Sequence, residues 1–196
     1  MKMEKINHYV YNIPEIRELI NDNKYFENYY NDEVSKFVTK SNPDLSEYLK
    51  NKSLIMNDQN AIRTYIVINT DTLEIIGYFC LKIVNVKFEE EVSNKLKKKI
   101  SSDAKRDDEF QAILITKLAR NDIYKEKVSG KTIMDYALSI GHQIYKSTAL
   151  KHICVDWYDS NELEKFYCEN CGFEIFQTKE QENDKNKLVS AFYKYS

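Results

Sequence analysis

The stretch "ARNDIYKEKVSGKTIMDYAL", Ala119 to Leu138, sets three lysines and one glycine where a strand gives way to an amphipathic helix. The chemistry open to such a segment is anion binding, because the first turn of a helix carries unpartnered backbone N–H groups and a partial positive charge. Lys125, Lys127 and Lys131 add charge there, and Gly130 permits close approach to the backbone. Phosphate-cradling turns usually hold two or three glycines, so a surface turn with solvated lysines is the competing reading. A second reactive group is "CENC", Cys168 to Cys171, which by spacing is a redox dithiol or half of a zinc site. Zinc needs a second ligand pair, and His152 and Cys154, alternating on one strand, are the nearby residues for it. With four cysteines and no second C-x-x-C, the expectation is reduced, mostly buried thiols and no metal.

The elements that must position these residues are legible from composition and periodicity. A chain of 196 residues with 42% hydrophobic and 13% aromatic content is expected to form one domain over 1–196. Two prolines and four glycines leave no room for a long linker. No apolar run reaches the ~20 residues of a membrane span, and "MKMEKINHYVYNIPEI" lacks the core of a secretory signal, so a soluble, cytoplasmic protein without a membrane partner is expected. The formal charge of −2 argues against broad attraction to nucleic acid. One basic run, Lys95 to Arg106, follows three glutamates, and is either a solvated face or a patch for an anionic partner such as nucleic acid.

Residues 1–60 read as a helical part with two short helices, one over "IPEIRELIND" and one started by Asn42 and Pro43. In 61–150, "TYIVINTDTLEIIGYFCLKIVNVKF" predicts a β-hairpin around "NTDTLE", and "FQAILITKLAR" a buried strand. The helix after the turn shows Ile133, Met134, Ala137, Leu138, Gly141, Ile144 and Tyr145 on one face. In 151–196, "HICVDWYD" is a strand and "NELEKFYCENCGF" a short helix that clusters Leu163, Phe166 and Tyr167 and stops at a left-handed Gly172. A last hairpin closes the chain. The class is α/β with a mixed sheet, since strand–helix–strand units are usually parallel and right-handed.

This order, together with two motifs, resembles the GNAT family of acyl-CoA N-acyltransferases. In "LARNDIYKEKVSG", Leu118, Ala119 and Arg120 match the strand end, Tyr124 an aromatic position, Lys125 the Arg/Gln position and Gly130 the final small residue. Val128 stands where the first glycine is usual, and Arg120 where an aliphatic residue is common. "NELEKFYCENCGF" supplies Asn161, Phe166, Tyr167, Gly172 and Phe173 in the pattern that follows the fifth strand of such proteins. The resemblance implies a mostly antiparallel sheet, flanked by helices, whose parallel central pair splays.

The resemblance also implies acetyl-CoA as cosubstrate. Backbone amides from Lys125, Glu126, Lys127, Val128, Ser129, Gly130 and Lys131 would hold its pyrophosphate, and the backbone of Leu118, Ala119 and Arg120 would pair with the pantetheine arm. Asn161 would bond the pantetheine or cap its helix. Tyr167 would protonate the departing thiolate, and is otherwise a packed aromatic. Asp156 and Asp159 are among the carboxylates open to a general-base role. The implied function is acetyl transfer to a primary amine by direct attack. Its alternatives are a toxin-like acetyltransferase of aminoacyl-tRNA and a non-catalytic acyl-CoA sensor.

Overall fold

The computed structural model describes residues 6–102, 107–181 and 184–196. It opens on a strand that periodicity does not announce, β1 (His8–Asn12), and continues through four helices where two are expected: α1 (Ile13–Ile20), α2 (Asn23–Ser35), α3 (Pro43–Asn51) and α4 (Ser53–Asp58). β1 is too short to show alternation and is fixed by its antiparallel partner β2 (Arg63–Asn69), with Val10 opposite Val67. Asn12 ends the strand and starts α1 in a capping box, its side chain accepting from the Glu15 amide while the Glu15 carboxylate accepts from Asn12 N–H. In α2 the tyrosines and asparagines dilute the apolar stripe, yet Phe26, Tyr30 and Val34 recur every four residues and are buried, with Glu33 beside them.

β2 pairs with β3 (Ile75–Lys87) as the expected hairpin, with an irregularity at Val67/Ile68. Then follow α5 (Asn94–Ile100), β4 (Glu109–Arg120), α6 (Gly130–Thr148), β5 (His152–Tyr158) and the single turn α7 (Asn161–Glu164), with a π-helical segment Lys165–Asn170 behind it. The hairpin β6 (Glu174–Gln181) and β7 (Asp184–Lys194) ends the chain. The seven strands form one mixed sheet in the order β1-β2-β3-β4-β5-β7-β6, in which β4 and β5 are parallel and the other pairs antiparallel. The parallel register covers Ile113↔Ile153, Leu114↔Cys154 and Ile115↔Val155, and both strands run on past it.

Two compact units share the chain. The first holds the residues up to Lys82 together with Lys117–Tyr136. Its core sets Ile13, Phe26, Tyr30, Phe37 and Leu49 against Ile66, Tyr78 and Cys80. Each such side chain contributes about 1.5–3 kcal/mol on burial, and two tyrosine hydroxyls of this core find partners, Tyr30 meeting Ser53 Oγ at 2.8 Å and Tyr78 donating to the Leu45 carbonyl at 2.7 Å.

The second unit holds Ile83–Thr116 and Ala137–Ser196. Phe88, Phe110, Phe176 and Phe192 pack there with centroid separations of 5.2–6.0 Å, around Ile100 and Cys154. This cluster absorbs part of the basic run. Lys97 is buried, ion-paired to Asp108, and lies 5.5 Å over the Phe88 ring. Lys99 pairs with Glu174, which leaves Lys95 and Lys98 as exposed lysines of α5; Lys105 and Arg106 lie outside the described residues. On α6, Gly141 is required by close approach, since a Cβ there would stand 2.2 Å from Tyr195 Oη.

His152 is 3% exposed, edge-on to Phe110 and Phe192, and its Nε2 is buried without a hydrogen-bond partner. Burial disfavours the imidazolium and holds its pKa down at about 4. The unfolded chain, with an ordinary histidine near ~6.5, then binds more protons between those values. Stability from this group is therefore complete above about pH 6.5 and lost as pH falls toward 4. Urea titrations at pH 7 and pH 4.5 should show a smaller acid destabilisation in His152→Phe than in the parent; equal pH slopes would contradict the assignment.

Candidate functional site

β4 ends at Arg120, and the chain must turn before α6 can begin. Asn121 makes that turn. Its side chain is 2% exposed, its Nδ2 donates to the Ile75 carbonyl at 3.1 Å, and its Oδ1 accepts from the amides of Val38 at 3.3 Å and Ile123 at 3.4 Å. Its own N–H donates to the Ile76 carbonyl at 2.7 Å. A single 3₁₀ turn follows over Asp122–Tyr124, and Tyr124 sinks into the unit, its hydroxyl donating to the Glu74 carboxylate at 2.5 Å. Asp122 binds the backbone of Val38 and Lys40. The turn is thereby tied to the β2–β3 hairpin and to the segment between α2 and α3.

Beyond Tyr124 the predicted anion-binding residues separate into anchored and exposed ones. The amides of Lys127 and Val128 both donate to the Tyr124 carbonyl at 2.9 Å. The Val128 side chain is buried and its φ lies outside the left-handed region, so the residue fits where a glycine is usual. Lys125, Glu126, Lys127 and Ser129 are exposed; Ser129 Oγ accepts from the Thr132 amide at 3.1 Å and caps α6. Gly130 begins the helix without a positive φ. The amides of Ser129 and Gly130 have no acceptor among the described residues. Lys131 is tied to Asp135 at 2.6 Å, and Lys127 lies 6.0 Å over the Tyr124 ring. Leu118 is half-buried, and Ala119 has its side chain in the core, which leaves it a backbone role only.

Arg120 departs from expectation in a useful way. Its Nη1 donates to the Val128 carbonyl at 2.9 Å, while its Nε is buried without a partner. No carboxylate pairs with it among the described residues. A half-buried, unpaired guanidinium beside two free helix-start amides is a fitting environment for a phosphate group.

Tyr167 belongs to the other unit and is described within it. Ser160, not Asn161, caps α7, its Oγ accepting from Leu163 N–H at 3.5 Å. Asn161 is thus an exposed first-turn residue, and the capping role foreseen for it is corrected. The following residues widen into the π-helical segment, in which Tyr167 is the buried side chain. Its ring stacks on Trp157 at 4.9 Å and meets Phe173 edge-on at 6.1 Å. At 9% exposure, burial first and the neighbouring Cys171 second push the phenol pKa up to about 12. Gly172 takes φ 77 and ends the segment in the left-handed conformation foreseen for it, and the Phe173 amide donates back to the Tyr167 carbonyl at 3.0 Å. The four cysteines form no disulfide, and three of them are buried. Among the described residues no group of His, Cys, Asp or Glu is arranged to hold a metal ion.

Solved structures place the architecture. A mutant of KacT superposes with a TM-score of 0.67 at 18% identity, covering 95% of this chain and 94% of that one. AtaT complexed with acetyl-methionyl-tRNA gives 0.66 at 14% identity, over 96% and 95%. AtaTR bound with acetyl-CoA gives 0.60 at 13% identity, over 96% and 93%. The chain has a GNAT-like fold. No protein-family profile and no curated protein sequence matches it.

For a GNAT-like fold, the motif positions give Lys125 to Lys131 and Tyr167 directly, whereas Asn121 and the Arg120 side chain carry no motif signal. The clue available for Asn121 was positional: an asparagine directly after a buried strand is a common turn former. Asn121→Ala leaves the Ile75 carbonyl and two amides unsatisfied in a buried site and should cost roughly 2–4 kcal/mol, read by urea denaturation; a cost below 1 kcal/mol would show that the turn is held elsewhere.

Proposed function

We propose that this protein is an acetyl-CoA-dependent N-acetyltransferase whose acceptor is a primary amine, and that the aminoacyl end of a charged tRNA is the acceptor class. The observation that carries acyl transfer is the turn after β4: two free amides at the start of α6, an unpaired guanidinium, and no acidic side chain paired with it. The acceptor class is supported by the AtaT neighbour, whose complex contains acetyl-methionyl-tRNA. It does not rest on α5, where Lys97 and Lys99 are already ion-paired.

Acetyl-CoA supplies the activated acetyl thioester. Amides of Ser129 and Gly130 bind the pyrophosphate, and main-chain groups of Leu118 and Arg120 pair with the pantetheine. Asn161 offers an uncommitted side-chain amide to the same arm. The acceptor nitrogen attacks the thioester carbonyl, the N–C bond forms, and the C–S bond breaks. Tyr167 hands its proton to the departing sulfur, and the proton the amine loses passes through solvent to restore the phenol. The phenol is protonated at neutral pH, and burial, by raising its pKa to about 12, makes the proton harder to give up than an ordinary phenol's, so its transfer depends on the charge that develops on sulfur.

Thiol release from acetyl-CoA is expected with aminoacylated tRNA and not with deacylated tRNA. In Tyr167→Phe, turnover should fall ~100-fold or more while acetyl-CoA affinity stays within about threefold. Normal turnover in that variant would remove the acid role, and release with small amines but not charged tRNA would remove the acceptor class. Gly130→Val probes the turn independently. Its backbone has no positive φ, so thermal stability should hold while acetyl-CoA affinity drops; unchanged affinity would mean the ligand does not approach this backbone.

A further inference from the structure

We infer that Arg120 is a positioning residue that does the work of the missing glycine, holding the turn in its anion-binding form through the Val128 carbonyl. The inference rests on the acyl-CoA reading above and concerns how this chain meets it without a second glycine.

A glycine at position 128 would let the backbone pass close to a phosphate with no side chain in the way. Valine achieves clearance differently, by burying its side chain on the protein side. That solution needs the peptide after Val128 to keep one orientation, because rotating its plane would turn the Ser129 N–H away from the ligand. One contact holds that peptide directly, the Val128 carbonyl accepting from Arg120 Nη1 at 2.9 Å, while the peptide before it is held by the Val128 amide donating to the Tyr124 carbonyl at 2.9 Å. With its oxygen held by a charged donor, the peptide presents the Ser129 amide outward, beside that of Gly130.

Arg120 is suited to this role by what it does not do. It forms no ion pair among the described residues, and its Nε is buried with no partner. With no carboxylate competing for it among the described residues, the guanidinium is free to orient the turn through the Val128 carbonyl. Lysine in its place would keep charge but lose the fixed geometry of the fork.

The test compares acetyl-CoA with S-acetyl-pantetheine, which lacks the pyrophosphate, on the full-length protein. Arg120→Met should weaken acetyl-CoA binding ~10–100-fold, the range for a lost charged hydrogen bond, and should weaken S-acetyl-pantetheine binding at least tenfold less. Arg120→Lys should recover part of the loss. If Arg120→Met fails to fold, Arg120→Lys carries the same comparison between the two thioesters. Equal loss for both thioesters would show a general structural role and overturn the inference, as would unchanged acetyl-CoA affinity. A parent protein that binds neither thioester would instead overturn the acyl-CoA reading itself, so the two failures are distinct.

Discussion

A buried amide side chain cannot be left with open valences, and in the first unit that constraint falls on Asn121. It joins the end of β4 to β3 through the Ile75 and Ile76 carbonyls and to the α2–α3 segment through the Val38 amide. Moving the turn would break several of these at once, with each unsatisfied buried group worth about 1–3 kcal/mol. Everything beyond the turn inherits its position from this residue: Tyr124 drops to Glu74, the Lys127 and Val128 amides close on Tyr124, and α6 starts in a direction already chosen. Rigidity at the turn therefore comes from polar groups in the interior of the unit.

Tyr167 shows the same logic with aromatic packing in place of hydrogen bonds. A regular α-helix advances 100° per residue, whereas a π turn takes an additional residue and shifts the side chains that follow. The widened segment Lys165–Asn170 carries Tyr167 onto the face of Trp157, with Phe173 at its edge. The ring is thus oriented by one partner across its face, at 29° between planes, and another at its edge, at 78°. Its raised pKa follows from the same burial that orients it, so position and protonation state are consequences of one arrangement.

How much of this was legible in the sequence depended on whether a signal was local. The β2–β3 hairpin, β4, α6, β5 and Gly172 were visible because apolar period and turn chemistry are written in adjacent residues. β1 was not, since five residues with no alternation become a strand only against β2. α2 was obscured because its buried face is built from tyrosines as much as from aliphatics. The basic run read as a surface patch, and Lys97 turned inward because Asp108 and Phe88, distant in type and position, together accommodate its ammonium. Motif spacing singled out Gly130 and Tyr167 as candidates, each in its own unit, but said nothing of Asn121 or the Arg120 side chain, whose partners lie elsewhere in the chain.

The glycine-poor turn illustrates why a fold can persist where its sequence signature fades. A phosphate-binding loop requires a backbone path and outward-facing amides, and glycine is one means to that path. Here Val128 takes an ordinary φ with a buried side chain, and the Arg120 guanidinium donates to its carbonyl. On the acyl-CoA reading proposed above, this pair would keep the path without a second glycine. Substitutions of this coupled kind erase a motif read position by position while leaving the geometry in place, which is the condition of a GNAT-like fold that no family profile matches.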